Sequence, residues 1–356
     1  MATYLPGSGA ISLNNINTVF GRGNNLNSYR GTTYYTSTAG PFTFSSGAID
    51  MNSFHGTGPI ANRVAISYTF SSNTADASLN VTSIGGYVAG TTDITVTVNS
   101  GIYLWASSTG NAGLTLTGGT SGDTLTIVNN GYIMGCGGVG TGFTTANVNI
   151  YPGIGGTALS LGFNATINNT NGSAYIGGGG GGGGGTDGSS GAESGGGGAG
   201  GGVGGVYQAQ AGGTGGSIGG SGGNGSASAG AASSGGGGRV FPGTGGAGGV
   251  GSTNKTAYAG SGGTAGGGGA SYANAGSSTA GNGGSGSSAG VNGVVNMGTG
   301  NAGGGGGGWG ASGGTGRNNI TSTTYPGASG GKAVALNGYS VSWVSGDTTR
   351  VYGAVS

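Results

Sequence analysis

Between residues 177 and 331 glycine fills 69 of 155 positions, starting with the unbroken run Gly177 to Gly185. A chain with so few side chains cannot bury an ordinary apolar core, and glycine loses more backbone entropy on ordering than any other residue. Composition alone describes a flexible linker. If such a stretch folds, each N–H and C=O must find a partner from another segment. Polyproline-II geometry permits this: it has three residues per turn, no internal hydrogen bonds and sideways-pointing backbone groups, and without Cβ atoms neighbouring segments can approach closely. Collagen is excluded, because the chain has no strict Gly-X-Y period and only 6 prolines.

In a three-fold helix, residues spaced by three share a face. Thr244, Ala247, Val250 and Thr253 keep that spacing, as do Ile218, Ser221 and Asn224, and Asn282, Ser285 and Ser288. Gly177 to Gly185 and Gly303 to Gly308 carry nothing on any face and belong inside, surrounded by other helices. Nine residues at about 3.1 Å each span roughly 28 Å, so the expectation is a slab crossed by about seven to nine antiparallel passes. Richer segments interrupt the glycines at 186–194, 206–211, 226–234, 252–259, 271–280, 291–297 and 315–326. Loops on a rigid scaffold are where binding residues concentrate. Strict alternation of passes puts 186–194, 226–234 with the following 239–242, 271–280 and 315–326 far from the preceding domain, and the other loops back towards it.

Eight basic and seven acidic residues leave a net charge of +1, with 4% of the chain charged. That gives no electrostatic footprint for nucleic acid or an anionic membrane. The lone Cys136 excludes an internal disulfide framework and a thiolate metal cluster, and reads as a small buried residue. The first twenty residues lack the basic and apolar regions of a signal peptide, and no window is apolar enough for a membrane span. Synthesis in a cytoplasm, followed by delivery through assembly or lysis, is the expectation.

Residues 1–60 contain a repeat at an offset of 38: Ser8-Gly-Ala-Ile-Ser-Leu-Asn-Asn-Ile16 returns as Ser46-Gly-Ala-Ile-Asp-Met-Asn-Ser-Phe54. Each copy predicts a helix of one or two turns, with Ser12 or Asp50 as N-cap and Gly21 or Gly56 at its end. Leu13, Ile16, Phe20, Met51 and Phe54 make apolar faces too short to stand alone, so they need a partner surface. Pro6 to Ser12, Phe20-Gly21, Tyr29-Arg-Gly31 and Ser46 to Gly56 resemble an N-terminal segment of tailed-phage virion proteins. The resemblance implies that residues 1–60 attach the chain to the virion through those five residues.

Residues 61–176 read as β-rich. Asp93-Ile-Thr-Val-Thr-Val98, Gly101-Ile-Tyr-Leu-Trp105, Leu114-Thr-Leu-Thr117 and Leu125-Thr-Ile-Val128 have strand character between turn residues. Ile127-Val-Asn-Asn-Gly-Tyr-Ile133, leading into glycine, is echoed about forty residues later by Ile167 to Ile176. Repeated strand-turn-strand units suggest a short β-solenoid, with a compact β-sandwich as the alternative. Residues 332–356 alternate as strands and are expected to return to the β-domain. The expected fold is therefore mainly β: a small N-terminal module (1–60), a β-solenoid or sandwich (61–176), a polyglycine-II slab (177–331) and closing strands (332–356).

This order of segments resembles glycine-rich tail proteins of tailed bacteriophages, and the slab resembles the tip adhesins of T-even-type long tail fibres. The resemblance implies a virion tail protein that binds a host receptor, a glycan or outer-membrane protein, through the slab's loops. Its other partners would be tail or baseplate proteins, with no nucleic acid and no membrane insertion. Phe241, Tyr272, Arg317, Asn318 and Tyr325 fall in the far loops, and their aromatic faces, guanidinium fork and amide suit such a receptor.

The residues show no catalytic pattern. Gly330-Gly-Lys332 is not a P-loop, because Pro326 stands where the first glycine should be and Ala333 replaces the Ser/Thr. His55 is the single histidine, so neither a zinc site nor a triad can be assembled, and no metal or cofactor is expected. Asp93 and Asp123 are the one pair worth weighing as glycosidase carboxylates, against a turn-forming role. Two other functions compete with the adhesin: a tail connector or decoration protein, and an ice-binding protein. Ice binding calls for a regular face, which Ile218, Asn224, Val250 and Asn282 break.

Overall fold

The computed structural model describes residues 4–36, 40–59, 63–143, 149–185, 195–204, 206–207, 210–211, 213–214, 232–233, 278–279, 294–295, 301–318, 324–346 and 348–356. The N-terminal part is a small module. Its helix Leu13–Phe20 begins at Ser12, whose hydroxyl accepts from the Asn15 N–H at 3.1 Å while the Asn15 side chain accepts from the Ser12 N–H at 2.8 Å. Gly21 closes it at φ 67. The second copy of the repeat makes a 3-10 turn, Met51–Phe54, capped by Asp50. A three-stranded antiparallel sheet of Phe42–Thr43, Thr33–Thr36 and Thr57–Gly58 completes the module.

From Val64 the chain winds into a parallel β-solenoid with three sheets. The first stacks Val64–Phe70, Thr92–Val98, Thr124–Asn129, Ala165–Asn168 and Val341–Trp343. The second stacks Thr74–Ala75, Tyr103–Trp105, Tyr132–Met134, Tyr175–Gly177 and Val351–Tyr352. The third stacks Ala77–Asn80, Ala112–Thr117, Thr157–Leu161 and Val334–Ala335, and Val355 adds a bridge to Val334. Every pairing among these strands is parallel, which rules out the sandwich.

The repeats predict this stacking. Ile127 pairs in register with Ile167, and Ile133 with Ile176. Alternation then sends one set of side chains inward: Val96, Ile127 and Ile167 from the first sheet, Leu104, Ile133 and Ile176 from the second, Leu116, Leu161 and Val334 from the third, all fully buried. Each contributes about 1.5–3 kcal/mol. At one corner the buried Asn129 amide donates to the Asn169 side-chain oxygen at 2.9 Å, linking two successive coils.

The closing strands are the fourth and fifth coils rather than an appendage. Lys332 to Ala335 completes the coil begun by Ala165–Asn168, as the Ala158 and Leu159 N–H groups donate to the Lys332 and Ala333 carbonyls. The glycine-rich region is thus an insertion into one coil, leaving after Tyr175–Gly177 and returning at Val334–Ala335. A shorter insertion, residues 135–156, leaves the preceding coil at the same corner.

These insertions are held by backbone bonds. Gly179 and Gly182 donate to Gly156 and Gly153, Gly180 and Gly183 to Ala199 and Gly196, Gly181 and Gly184 to Ala311 and Gly314. In return the carbonyls of Gly180 and Gly183 accept from Gly138 and Thr141, those of Gly181 and Gly184 from Gly307 and Gly304, and those of Gly179 and Gly182 from Gly331 and Ala328. All twelve bonds measure 2.7–3.0 Å. The run that carries no side chains therefore sits inside, with six neighbouring segments each met at a spacing of three residues. A Cβ on Gly181 or Gly182 would overlap the carbonyl of Ala328 or Val139. The faces expected at Ile218, Ser221 and Asn224, at Thr244 to Thr253 and at Asn282 to Ser288 lie outside the described residues.

Candidate functional site

Hydrogen-bond order fixes the direction of each glycine segment. Residues 177–185 run outward from the solenoid, and 138–141 and 311–314 run beside them in the same direction. Residues 153–156, 196–199, 304–307 and 328–331 run back. The hairpin between 311–314 and 328–331, made of Gly316–Asn318 and Thr324–Tyr325, consequently stands at the end away from the solenoid. It carries Arg317, Asn318 and Tyr325. Arg317 is the register partner of Thr324 on one side and Ala302 on the other, Asn318 pairs with Asn301, and Tyr325 with Gly316. Ala232–Ser233 adds a fourth strand beside Asn301–Ala302. The antiparallel pair of Ser278–Thr279 with Val294–Val295 packs against this sheet. Phe241 and Tyr272 lie outside the described residues.

Strict alternation of the loops fails in two places. Val206–Tyr207 and Gln210–Ala211, expected near the solenoid, form a hairpin beside Gly142–Phe143 at the far end. An additional reversal at 199–201 precedes them, made by Gly200 and Gly201 at φ 97 and 82. In a run of glycines, a glycine that turns the chain and one that extends it look alike. Val294–Val295 is also at the far end, paired with Ser278–Thr279.

The residues expected to attach the chain to the virion come together, and they do so with each other. Ile16 and Phe54 are fully buried with Leu5, Tyr29 and Phe44, while Leu13, Phe20 and Met51 pack on that cluster. Phe54 meets Tyr29 edge-on at 5.3 Å and Phe20 at 5.9 Å. The aromatics of residues 29, 44 and 54 supply the partner surface that short helices need.

All four described carboxylates are engaged structurally. Asp93 accepts from Arg63 Nε at 2.7 Å, and Asp123 accepts from the Thr92 N–H at 2.9 Å and from Tyr87 Oη at 2.7 Å. Asp50 caps the Met51–Phe54 turn, and its bonds from Ser53 hold it below the usual carboxylate range. Asp76 sits at φ 50 and takes both the N–H and the hydroxyl of Ser107, which lowers its pKa in the same way. The single histidine donates from Nδ1 to the Pro6 carbonyl at 3.0 Å, since a carbonyl can only accept. Among the described residues no group of three metal-ligating side chains occurs, and no helix is long and apolar enough to cross a membrane.

A rigid solenoid, a glycine-built extension and hairpins gathered at its outer end define a display scaffold, a protein that presents a surface. The chain belongs to the phage tail fibre adhesin Gp38 family, whose model matches residues 65–243, from the first coil into the glycine-rich insertion. It is a component of the virion tail that binds the host receptor, in a family without enzymatic activity. Comparison with curated proteins finds no match, and neither does comparison with solved structures.

Proposed function

We propose that the glycine-rich insertion is a polyglycine-II slab whose outer hairpins and loops bind the host receptor, a surface glycan or outer-membrane protein. The observation that carries this reading is the three-residue spacing with which Gly179 to Gly184 bond six neighbours, the spacing of a three-fold helix. Such a slab holds its ends stiffly, and the Arg317–Tyr325 hairpin lies at the end that faces away from the solenoid. Arg317, Asn318 and Tyr325, together with Phe241 and Tyr272, are the proposed receptor-binding residues. Residues 1–60 are the proposed attachment module towards other tail or baseplate proteins. Because Ile16 and Phe54 are internal, their part in attachment is to hold the module's shape, while half-buried Leu13, Phe20 and Met51 reach its surface.

Host adsorption by particles carrying Arg317→Ala with Tyr325→Ala tests the reading. Loss of adsorption with an unchanged melting temperature supports it, and full adsorption overturns the assignment of this hairpin.

A further inference from the structure

A concave feature lies away from the outer hairpins, where the second solenoid sheet meets the glycine-rich insertions. Trp105, Ser107, Met134, Cys136, Gly200 and Gly201 line a cavity of about 340 Å³ there. Ligand sites commonly run from about 300 to 1,000 Å³. The walls are fixed before anything binds. The Ala106 N–H donates to the Met134 carbonyl at 2.9 Å, and the Asp76 N–H donates to the Trp105 carbonyl at 2.8 Å. Asp76 also holds the Ser107 backbone and hydroxyl. Gly200 turns at φ 97 so close to the Gly135 carbonyl that it leaves no room for a Cβ, whereas a Cβ at Gly201 would meet nothing.

The lining combines a half-buried indole, a thioether, a serine hydroxyl and peptide groups, with no charged side chain. An aromatic wall flanked by neutral hydrogen-bonding groups matches a sugar ring, which has apolar C–H faces and a rim of hydroxyls. We propose that this cavity is a lateral saccharide subsite, taking one uncharged pyranose ring against Trp105 with its hydroxyls directed to Ser107 and the glycine backbone. It is independent of the outer hairpins and does not rest on their reading. On an adhesin it would let the flank of the protein hold surface glycan while the outer end engages its receptor.

The single cysteine of the chain lines the cavity and serves as a reporter. The full-length protein is alkylated with iodoacetamide in the presence of unphosphorylated hexose and N-acetylhexosamine di- and trisaccharides, with glycerol as control. At ten times the dissociation constant of a bound sugar, the Cys136 rate should fall roughly tenfold. The protection should vanish in Trp105→Ala, persist in Trp105→Tyr and be unaffected by Arg317→Ala. An unchanged Cys136 rate in the wild type with every saccharide at 10 mM overturns the proposal whatever the variants do. So does protection by decanoate in place of sugar, which would mark an acyl site, and so does equal protection in a folded Trp105→Ala protein.

Discussion

The indole of Trp309 lies over the bare Cα of Gly177, in the space a Cβ would occupy. Gly177 is the last residue of its solenoid strand, and Trp309 sits at the inner reversal between residues 304–307 and 311–314. The same indole meets Tyr175 and Tyr352 edge-on, with ring centroids 6.2 Å away in both cases. Those tyrosines continue a stacked column through Tyr132 and Tyr103. A large side chain of the insertion is thereby keyed into the face of the solenoid, where the absence of a side chain makes room for it.

Removing that key should loosen the insertion before the solenoid. Trp309→Ala leaves a large cavity and is expected to cost about 3–5 kcal/mol. Hydrogen exchange should rise first at residues 178–184 and 304–314, with Ile127, Ile133 and Ile167 protected longer. Uniform loss of protection in both parts would contradict this.

Glycine in the outward run is required for packing rather than for flexibility. Gly181→Val drives a branched side chain into the Ala328 carbonyl and should lower stability by about 3 kcal/mol or more. Ser312→Val, at an exposed position in a neighbouring segment, should change it by less than about 0.5 kcal/mol. Calorimetric melting of the two variants checks the contrast.

The N-terminal module has its own core, so deleting residues 1–60 should leave the solenoid folded while the truncated chain fails to join particles. Phe54→Ala should cost about 3–5 kcal/mol within the module and weaken incorporation with it. Incorporation of the truncated chain at normal levels would count against an attachment role.

Burial, with a smaller contribution from the negative charge of Asp76, pushes the Cys136 thiol above its ordinary value. Its alkylation rate should therefore keep rising at pH values where a free thiol has levelled off. The linkage sign follows: once pH passes the ordinary thiol value, the unfolded chain gives up a proton that the folded chain retains, so stability falls with rising pH. Cys136→Ser should remove that part of the alkaline decline. An alkylation profile identical to that of a free thiol would contradict the burial.

With little net charge, receptor binding through the outer hairpins should depend weakly on salt. Adsorption measured between low and physiological ionic strength should change little. A steep fall would point to charged receptor contacts beyond the single guanidinium of Arg317.

Much of the local structure follows from residues read alone. Ser12 and Asp50 cap their turns because a short side-chain oxygen can take an orphan N–H, and Gly21 ends a helix because it tolerates positive φ. Ile127 and Ile167 announce their stacking because a solenoid repeats inward-facing residues coil by coil. Gly177 to Gly185 had to be interior, since a segment without side chains offers only its backbone. What tertiary structure decided were matters of chain path and partner. Whether Lys332 to Ala335 caps the solenoid or completes a coil around a long insertion depends on which edge its N–H groups meet. The reversal at Gly200 and Gly201 leaves no mark among identical residues, so the sides of the following loops could not be counted. Ile16 and Phe54 have the same apolar character whether they face a partner or one another. Tyr29 and Phe44, brought in by the fold, settle that they face one another.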